Sequence, residues 1–311
     1  MSITLNDGTK IPSLGFGTGT ALYAKDAEDT VRQAIQTGVV HLDVLGAGIV
    51  SSGKPRSSLY ITTKLNSLKK LQTEYVDLFL VHFPNNHETP LPEIWAQFEE
   101  IQKEGLAKSI GVSNFRVKDF EEILPTAKVI PAVNQIEYHP YVYKADQPVI
   151  EFMKKYNITP SHTGGPVDPV LKSAAARLSK EAGTTVTEGQ VLQLWLKAKG
   201  VVTITTSSKA SRVKEYLAAE ALPGLTPEEI KAIDTEGSKV HHRVFVSVLV
   251  RSHDVHSTLM RNIGHVLRLV KDLRKGSIAE DLYASYHVSS TSRMIDDIAS
   301  LSVRPFCVRV S

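Results

Sequence analysis

The chain has 311 residues, enough for one large domain or two small ones, with 42 % hydrophobic and 22 % charged residues, so it buries a sizeable core and is not disordered overall. A net charge of +3, with no long Lys/Arg run, gives nucleic-acid binding no compositional support. The single cysteine, Cys307, excludes an intramolecular disulfide and any zinc site made of several thiolates.

No apolar run approaches the roughly 20 residues that span a bilayer. The N-terminus has neither a basic n-region nor an apolar h-region. These features predict a cytoplasmic protein without a membrane association.

In chain order, Asn6-Asp7-Gly8 between two short apolar runs predicts a hairpin at the chain start. Eight β-branched runs follow: Leu14–Thr18, Val39–Asp43, Leu59–Leu65, Tyr75–His82, Lys108–Val112, Ala132–Glu137, Ile158–Ser161 and Val201–Thr205. Helical periodicity falls between them at Ala27–Thr37, Leu91–Glu104, Val117–Leu124, Gln147–Tyr156, Thr187–Lys199 and Ser211–Ala219. Pro92 and Gly105 punctuate the second of these helices, and Gly38 ends the first. Eight strand–helix alternations with short connections predict a parallel α/β structure closed into a (β/α)₈ barrel of the TIM type.

The wall is expected to be incomplete around residues 44–74. Only nine residues, 66–74, join the third strand to the fourth. Nine extended residues reach roughly 30 Å, enough to return along a strand but too few for a full helical crossover. The rhythm stops after about residue 245, so the division expected is a barrel over 1–245 and a tail over 246–311. Within the tail, Leu259, Met260, Ile263, Val266, Leu267 and Val270 fall near helical spacing among basic residues. That pattern suits a helix packed on the barrel, a segment with no selected fold, or a basic amphipathic helix touching a membrane or partner.

Active sites of such barrels lie at the C-terminal ends of the strands. Those ends carry Asp43, Lys64, His82, Ser113, Asn114, Gln135 and Ser207. Each alone would read as an ordinary polar group; their shared placement marks a site.

The segments Gly15-Phe16-Gly17-Thr18, His41-Leu42-Asp43, Ile61-Thr62-Thr63-Lys64-Leu65, Val76-Asp77-Leu78-Phe79-Leu80-Val81-His82, Gly111-Val112-Ser113-Asn114-Phe115 and Asn134-Gln135-Ile136-Glu137-Tyr138-His139-Pro140 stand in this order. Together they resemble the aldo-keto reductase family over roughly residues 3–245. The stretch Ile204-Thr205-Thr206-Ser207-Ser208-Lys209-Ala210-Ser211-Arg212 is most similar to its fungal branch of conjugated polyketone reductases. The resemblance implies a reductase that passes hydride from NADPH to a small-molecule aldehyde or ketone, without metal, as a monomer or weak dimer. It implies catalytic support from Asp43, Lys64 and His82. It also implies cofactor contacts from Ser113, Asn114 and Gln135 to the carboxamide, and from Ser207, Ser208, Lys209, Arg212 and Glu215 to the adenosine-phosphate end.

The sequence departs from the family pattern at the proton donor. The family carries a tyrosine a few residues after the aspartate; here Asp43 runs into Val44-Leu45-Gly46-Ala47-Gly48-Ile49, with no tyrosine before Tyr60. Tyr60 lies four residues before Lys64 on one strand, about 13 Å away. Tyr23, on the loop after the first strand, is the other tyrosine near the strand ends. Thr206 stands where many members have lysine, and Tyr216 where asparagine is usual. The loop that follows the seventh strand is short, His162-Thr163 running into Gly164-Gly165-Pro166. Beside the active-reductase reading, therefore, stand a catalytically impaired relative acting as a cofactor-binding or interaction protein, and a mis-spliced version of an active enzyme.

Overall fold

The computed structural model describes residues 1–18, 27–43, 47–64, 73–85, 89–162 and 169–243. Two short strands, β1 (Ser2–Thr4) and β2 (Lys10–Pro12), pair antiparallel, with Ile3 opposite Ile11. Their turn closes through Leu5 N–H to Thr9 O at 2.8 Å, and Gly8 takes the φ of +84° that its position demands.

Eight parallel strands then form a closed barrel: β3 (Leu14–Gly17), β4 (His41–Asp43), β5 (Tyr60–Lys64), β6 (Val76–Val81), β7 (Ala107–Ser113), β8 (Val133–Gln135), β9 (Thr159–His162) and β10 (Val202–Thr205). Closure is made by β10 against β3, with Ile204 opposite Gly15. Around the strands lie α1 (Glu28–Thr37), α2 (Leu91–Lys103), α3 (Val117–Ile123), α4 (Pro140–Lys155), α5 (Pro169–Ala182), α6 (Glu188–Ala198), α7 (Ala210–Ala218) and α8 (Pro227–Gly237). The eight strands and six helices read from the sequence are all present. Among the described residues, no helix is long and apolar enough to cross a membrane.

The differences have local causes. Helix α4 begins at Pro140, seven residues before the expected start, and continues through Pro148, whose exposed ring faces solvent where its missing hydrogen bond costs least. Helices α5 and α8 were not expected. For α8 a capping box was in plain view: Thr226 accepts from the Glu229 amide while Glu229 accepts from the Thr226 amide. Between β4 and β5 the chain forms only 3-10 turns, at Ala47–Ser52 and Arg56–Ser58, so this described part of the wall does lack an α-helix. Residues 65–72 of the expected thin wall, and the tail 246–311, lie outside the described residues.

Arg56 braces this side of the barrel. Its guanidinium donates to Leu59 O at 2.8 Å, Tyr75 O at 3.0 Å and Asp77 Oδ2 at 2.7 Å, and it stacks 4.0 Å above the Tyr75 ring. Asp77 also accepts from Lys108 Nζ and from the Ile61 amide, tying β5, β6 and β7 together at their N-terminal ends.

The hairpin plugs that same end. Leu5 and Ile11 join Leu78, Leu80, Ala132, Val133, Val202 and Ile204 in one buried cluster, with Tyr60 packed against it. His41 is buried close by, its Nε2 2.9 Å from Thr62 Oγ1 and its ring edge-on to Tyr60 at 4.9 Å. A side chain at Gly15 would come within 2.7 Å of the His41 ring, so this glycine leaves the space that the imidazole occupies.

Burial lowers the His41 pKa from 6.5 to about 4, despite the Pro12 carbonyl and the Asp43 charge, which act the other way. An unfolded chain therefore takes up a proton between these values that the folded chain refuses, and stability falls as pH drops through that window. The expected loss is about 3 kcal/mol between pH 6.5 and 4 from this one group. Urea unfolding at successive pH values checks it: His41→Asn should flatten the acid limb by that amount, and an unchanged slope contradicts it.

Candidate active site

The C-terminal ends of the strands hold the polar cluster. β4 and β5 pair in register with Asp43 opposite Thr62, which brings Lys64, two residues further on, to the Asp43 carboxylate. Lys64 Nζ lies 2.9 Å from Oδ1 and 2.8 Å from Oδ2 of Asp43. Gln135, from β8 across the barrel, donates its amide to the same Oδ2 at 3.0 Å. Burial alone would raise the Asp43 pKa. The Lys64 charge, with hydrogen bonds from Lys64 and Gln135, outweighs that and holds the carboxyl below its usual range.

Side-chain exposures of 17 % for Lys64 and 14 % for Asp43 place the pair at the mouth, neither in bulk water nor sealed from it. An ammonium has three N–H donors. Two face the two Asp43 oxygens, and among the described residues the third has no acceptor.

His82 follows β6 directly and is exposed at the same mouth, its ring stacked on Phe83 at 4.0 Å. Crowding by the strand ends and the Lys64 charge both push its pKa down, so the ring is neutral at physiological pH. A neutral imidazole still carries one N–H donor.

On the next strands, Ser113 Oγ donates to Gln135 O at 2.8 Å, and Asn114 N–H donates to the same carbonyl at 2.9 Å. Asn114 takes a left-handed φ of 61°, which carries its side chain back over the strand ends. Its Nδ2 donates to His82 O at 3.1 Å and to Ser113 Oγ at 3.1 Å. Asn114 and Gln135 thus donate amide N–H groups to protein acceptors, while among the described residues their side-chain carbonyl oxygens have no partner, an arrangement matched to the NH₂ of a carboxamide.

Where β10 ends, a second group of predicted residues gathers. Ser207 Oγ accepts from Lys209 N–H at 3.0 Å, making the turn that starts α7. Ser208, Lys209 and Arg212 are exposed at that helix start, and the Lys209 and Arg212 cations have no side-chain partner among the described residues. Glu215 differs: its carboxylate accepts from Thr187 Oγ1, the N-cap of α6, and so serves the packing of α6 on α7. Thr206, read from the sequence only as a replacement for lysine, has a buried hydroxyl with no partner among the described residues. Only the structure reveals this, because a threonine ending a β-branched run carries no signal of its own. Two free cations at a helix N-terminus and an orphaned hydroxyl suit the phosphate-bearing end of a dinucleotide.

Tyr60, Tyr75, Tyr138, Tyr143 and Tyr156 lie elsewhere. Tyr60 points to the hairpin end, where burial, Asp77 and Asp7 push its pKa up. The Tyr75 ring is contacted by the Arg56 guanidinium at 4.0 Å and the Lys108 ammonium at 4.6 Å. Tyr138 and Tyr143 pack on Trp195 of α6, and Tyr156 packs on Phe152. Among the described residues, no tyrosine is hydrogen-bonded to Asp43, Lys64 or Gln135. Tyr23 and the loop 163–168 lie outside them.

Comparison with known proteins agrees with this architecture. A model of the Aldo/keto reductase family matches residues 13–162. The chain is 35 % identical to the NAD/NADP-dependent indole-3-acetaldehyde reductase of Schizosaccharomyces pombe, over 77 % of this chain and 96 % of that protein. It is 31 % identical to the NADPH-dependent alpha-keto amide reductase of Saccharomyces cerevisiae, over 75 % and 90 % respectively. Among solved structures, an aldo/keto reductase from Brucella melitensis superposes with a TM-score of 0.66 at 30 % identity, covering 76 % of this chain and 98 % of that one. The relatives named are reductases, and the non-catalytic reading draws no support from them. On fold, motif order and relatedness, the chain belongs to the aldo/keto reductase family and is an oxidoreductase of that carbonyl-reducing kind.

Proposed function

We propose that the chain reduces small aldehydes and ketones in the cytoplasm with NADPH, as a monomer or weak dimer, using Asp43, Lys64 and His82 at the strand ends. The observation that carries this is the Lys64 ammonium fixed by Asp43, with Gln135 closing the same carboxylate from across the barrel. A cation so placed stabilises negative charge as it develops on a carbonyl oxygen, and it needs no reorganisation when the charge appears. The neutral His82 ring adds an N–H donor that orients the same oxygen.

The cofactor supplies the hydride. Ser113, Asn114 and Gln135 would hold its carboxamide and present one ring face to the substrate. Ser207, Ser208, Lys209 and Arg212 would hold the adenosine end, where the two cations favour a 2′-phosphate. Glu215, on α7, would meet the adenine, its carboxylate held by the Thr187 hydroxyl.

Fluorescence titration with NADPH, followed by NADPH oxidation with a reactive diketone, tests the proposal: saturable binding and turnover above background are expected. Lys209→Ala and Arg212→Ala should each weaken NADPH about tenfold while leaving NADH within twofold. Equal losses for both dinucleotides would remove the phosphate assignment, and absence of binding would remove the cofactor.

A further inference from the structure

Away from the polar strand ends, a cavity of about 490 Å³ lies where the hairpin meets the last turns of α4 and α6 and the starts of β9 and β10. Small-molecule sites span roughly 300–1,000 Å³. None of the residues assigned above to hydride transfer or to the cofactor lines it. The two helix-to-strand turns beside it bend on residues in the left-handed region. Asn157, between α4 and β9, has a φ of 53°, and Gly200, between α6 and β10, has a φ of 70°. A Cβ at Gly200 would meet no atom within 4 Å, so nothing packs into the space beside it.

Much of the wall is apolar: Leu5, Ile150, Met153, Ile158 and Val201 line it. Tyr138 and Tyr143 add two rings set edge to face, 6.0 Å between centroids. Two lysines also line the cavity, and no Asp or Glu among the described residues does. Lys199 Nζ donates to Asp234 Oδ2 at 2.6 Å and to the Tyr143 hydroxyl at 3.4 Å. Asp234, which is not part of the lining, balances that charge. Lys154, exposed near the end of α4, has no side-chain partner among the described residues. One positive charge at the cavity is therefore uncompensated.

The C-terminal ends of two helices would ordinarily oppose an anion. Here the turns take up their last carbonyls. Asn157 N–H donates to Lys154 O and Ile158 N–H to Met153 O, while Gly200 N–H donates to Lys197 O and Val201 N–H to Leu196 O.

We infer that this cavity is a second ligand site, which takes a small aromatic carboxylic acid. The ring lies against the tyrosines and the aliphatic wall, and the carboxylate meets Lys154 and the Lys199 ammonium. A neutral ligand of the same shape would leave Lys154 unmatched, and a cationic one would be repelled by it.

Calorimetric titration of the cofactor-free full chain with 2-naphthoate tests the assignment, with 2-naphthamide as the uncharged comparison. Saturable binding of the acid is expected, with the amide about tenfold weaker. Added salt should weaken the acid and leave the amide unchanged. Lys154→Ala should weaken the acid about fivefold, and Lys154→Glu should weaken it further. Thr4→Trp places a large ring at an exposed strand position lining the cavity, and should abolish binding of both compounds with an unchanged unfolding temperature. Lys64→Gln and Arg212→Ala, which change the strand-end cations, should bind the acid as the unmodified protein does.

No saturation at millimolar acid would overturn the site. So would binding that survives Lys154→Glu but is lost in Lys64→Gln or Arg212→Ala, because the acid would then sit at the strand ends. Equal affinity for acid and amide would overturn the ligand class.

Discussion

The carboxylate of Asp43 joins three strands that are not all neighbours. It takes both oxygens to Lys64 on β5 and shares one of them with Gln135 on β8, which lies across the barrel mouth. Removing an aspartate and a lysine from most of their water is costly, and only good geometry with additional hydrogen bonds repays it. The parallel register of β4 and β5 supplies the geometry, and Gln135 supplies the extra bond. Everything proposed about chemistry at this mouth follows from that fixed ammonium.

The two ends of the barrel divide the work. At the hairpin end, Leu5 and Ile11 close the interior, Asp77 gathers Arg56, Lys108 and the Ile61 amide, and His41 is buried neutral between Thr62 and Pro12. These contacts hold the strands where a short β4–β5 connection leaves less helix than usual. At the other end, among the described residues, the polar groups keep unspent hydrogen-bonding capacity: the third Lys64 proton, the carbonyl oxygens of two amides, two exposed cations and the Thr206 hydroxyl. Polar groups left partly unsatisfied in one place are what a ligand site looks like before its ligand arrives.

Much of this was legible from the residues. The eight strands could be read from β-branched runs, because a parallel barrel buries both faces of each strand and leaves a near-continuous apolar signature. Asp43, Lys64 and Gln135 were marked by their positions at strand ends, and the structure brings them together. Helix α4 was cut short because Pro148 interrupts its pattern, whereas an exposed proline in a long, well-packed helix is tolerated. Helices α5 and α8 fall outside the periodic segments, although α8 carries a capping signal in Thr226 and Glu229. What no sequence pattern could give is direction: that Tyr60 faces away from Lys64 towards the hairpin, that Glu215 accepts from Thr187, and that the Thr206 hydroxyl has no partner among the described residues. Those facts depend on packing between segments far apart in the chain.

The most direct test of a reductase site built on these strand ends is the fate of one labelled hydrogen. NADPH carrying deuterium at a single prochiral position of nicotinamide C4 is incubated with the protein and a diketone, and the alcohol and spent cofactor are read by mass spectrometry and NMR. With the carboxamide held by Ser113, Asn114 and Gln135, one label position should deliver deuterium to the carbinol carbon in every turnover and the other should deliver none. Label transferred from both positions, or alcohol formed without deuterium from either, would contradict the account.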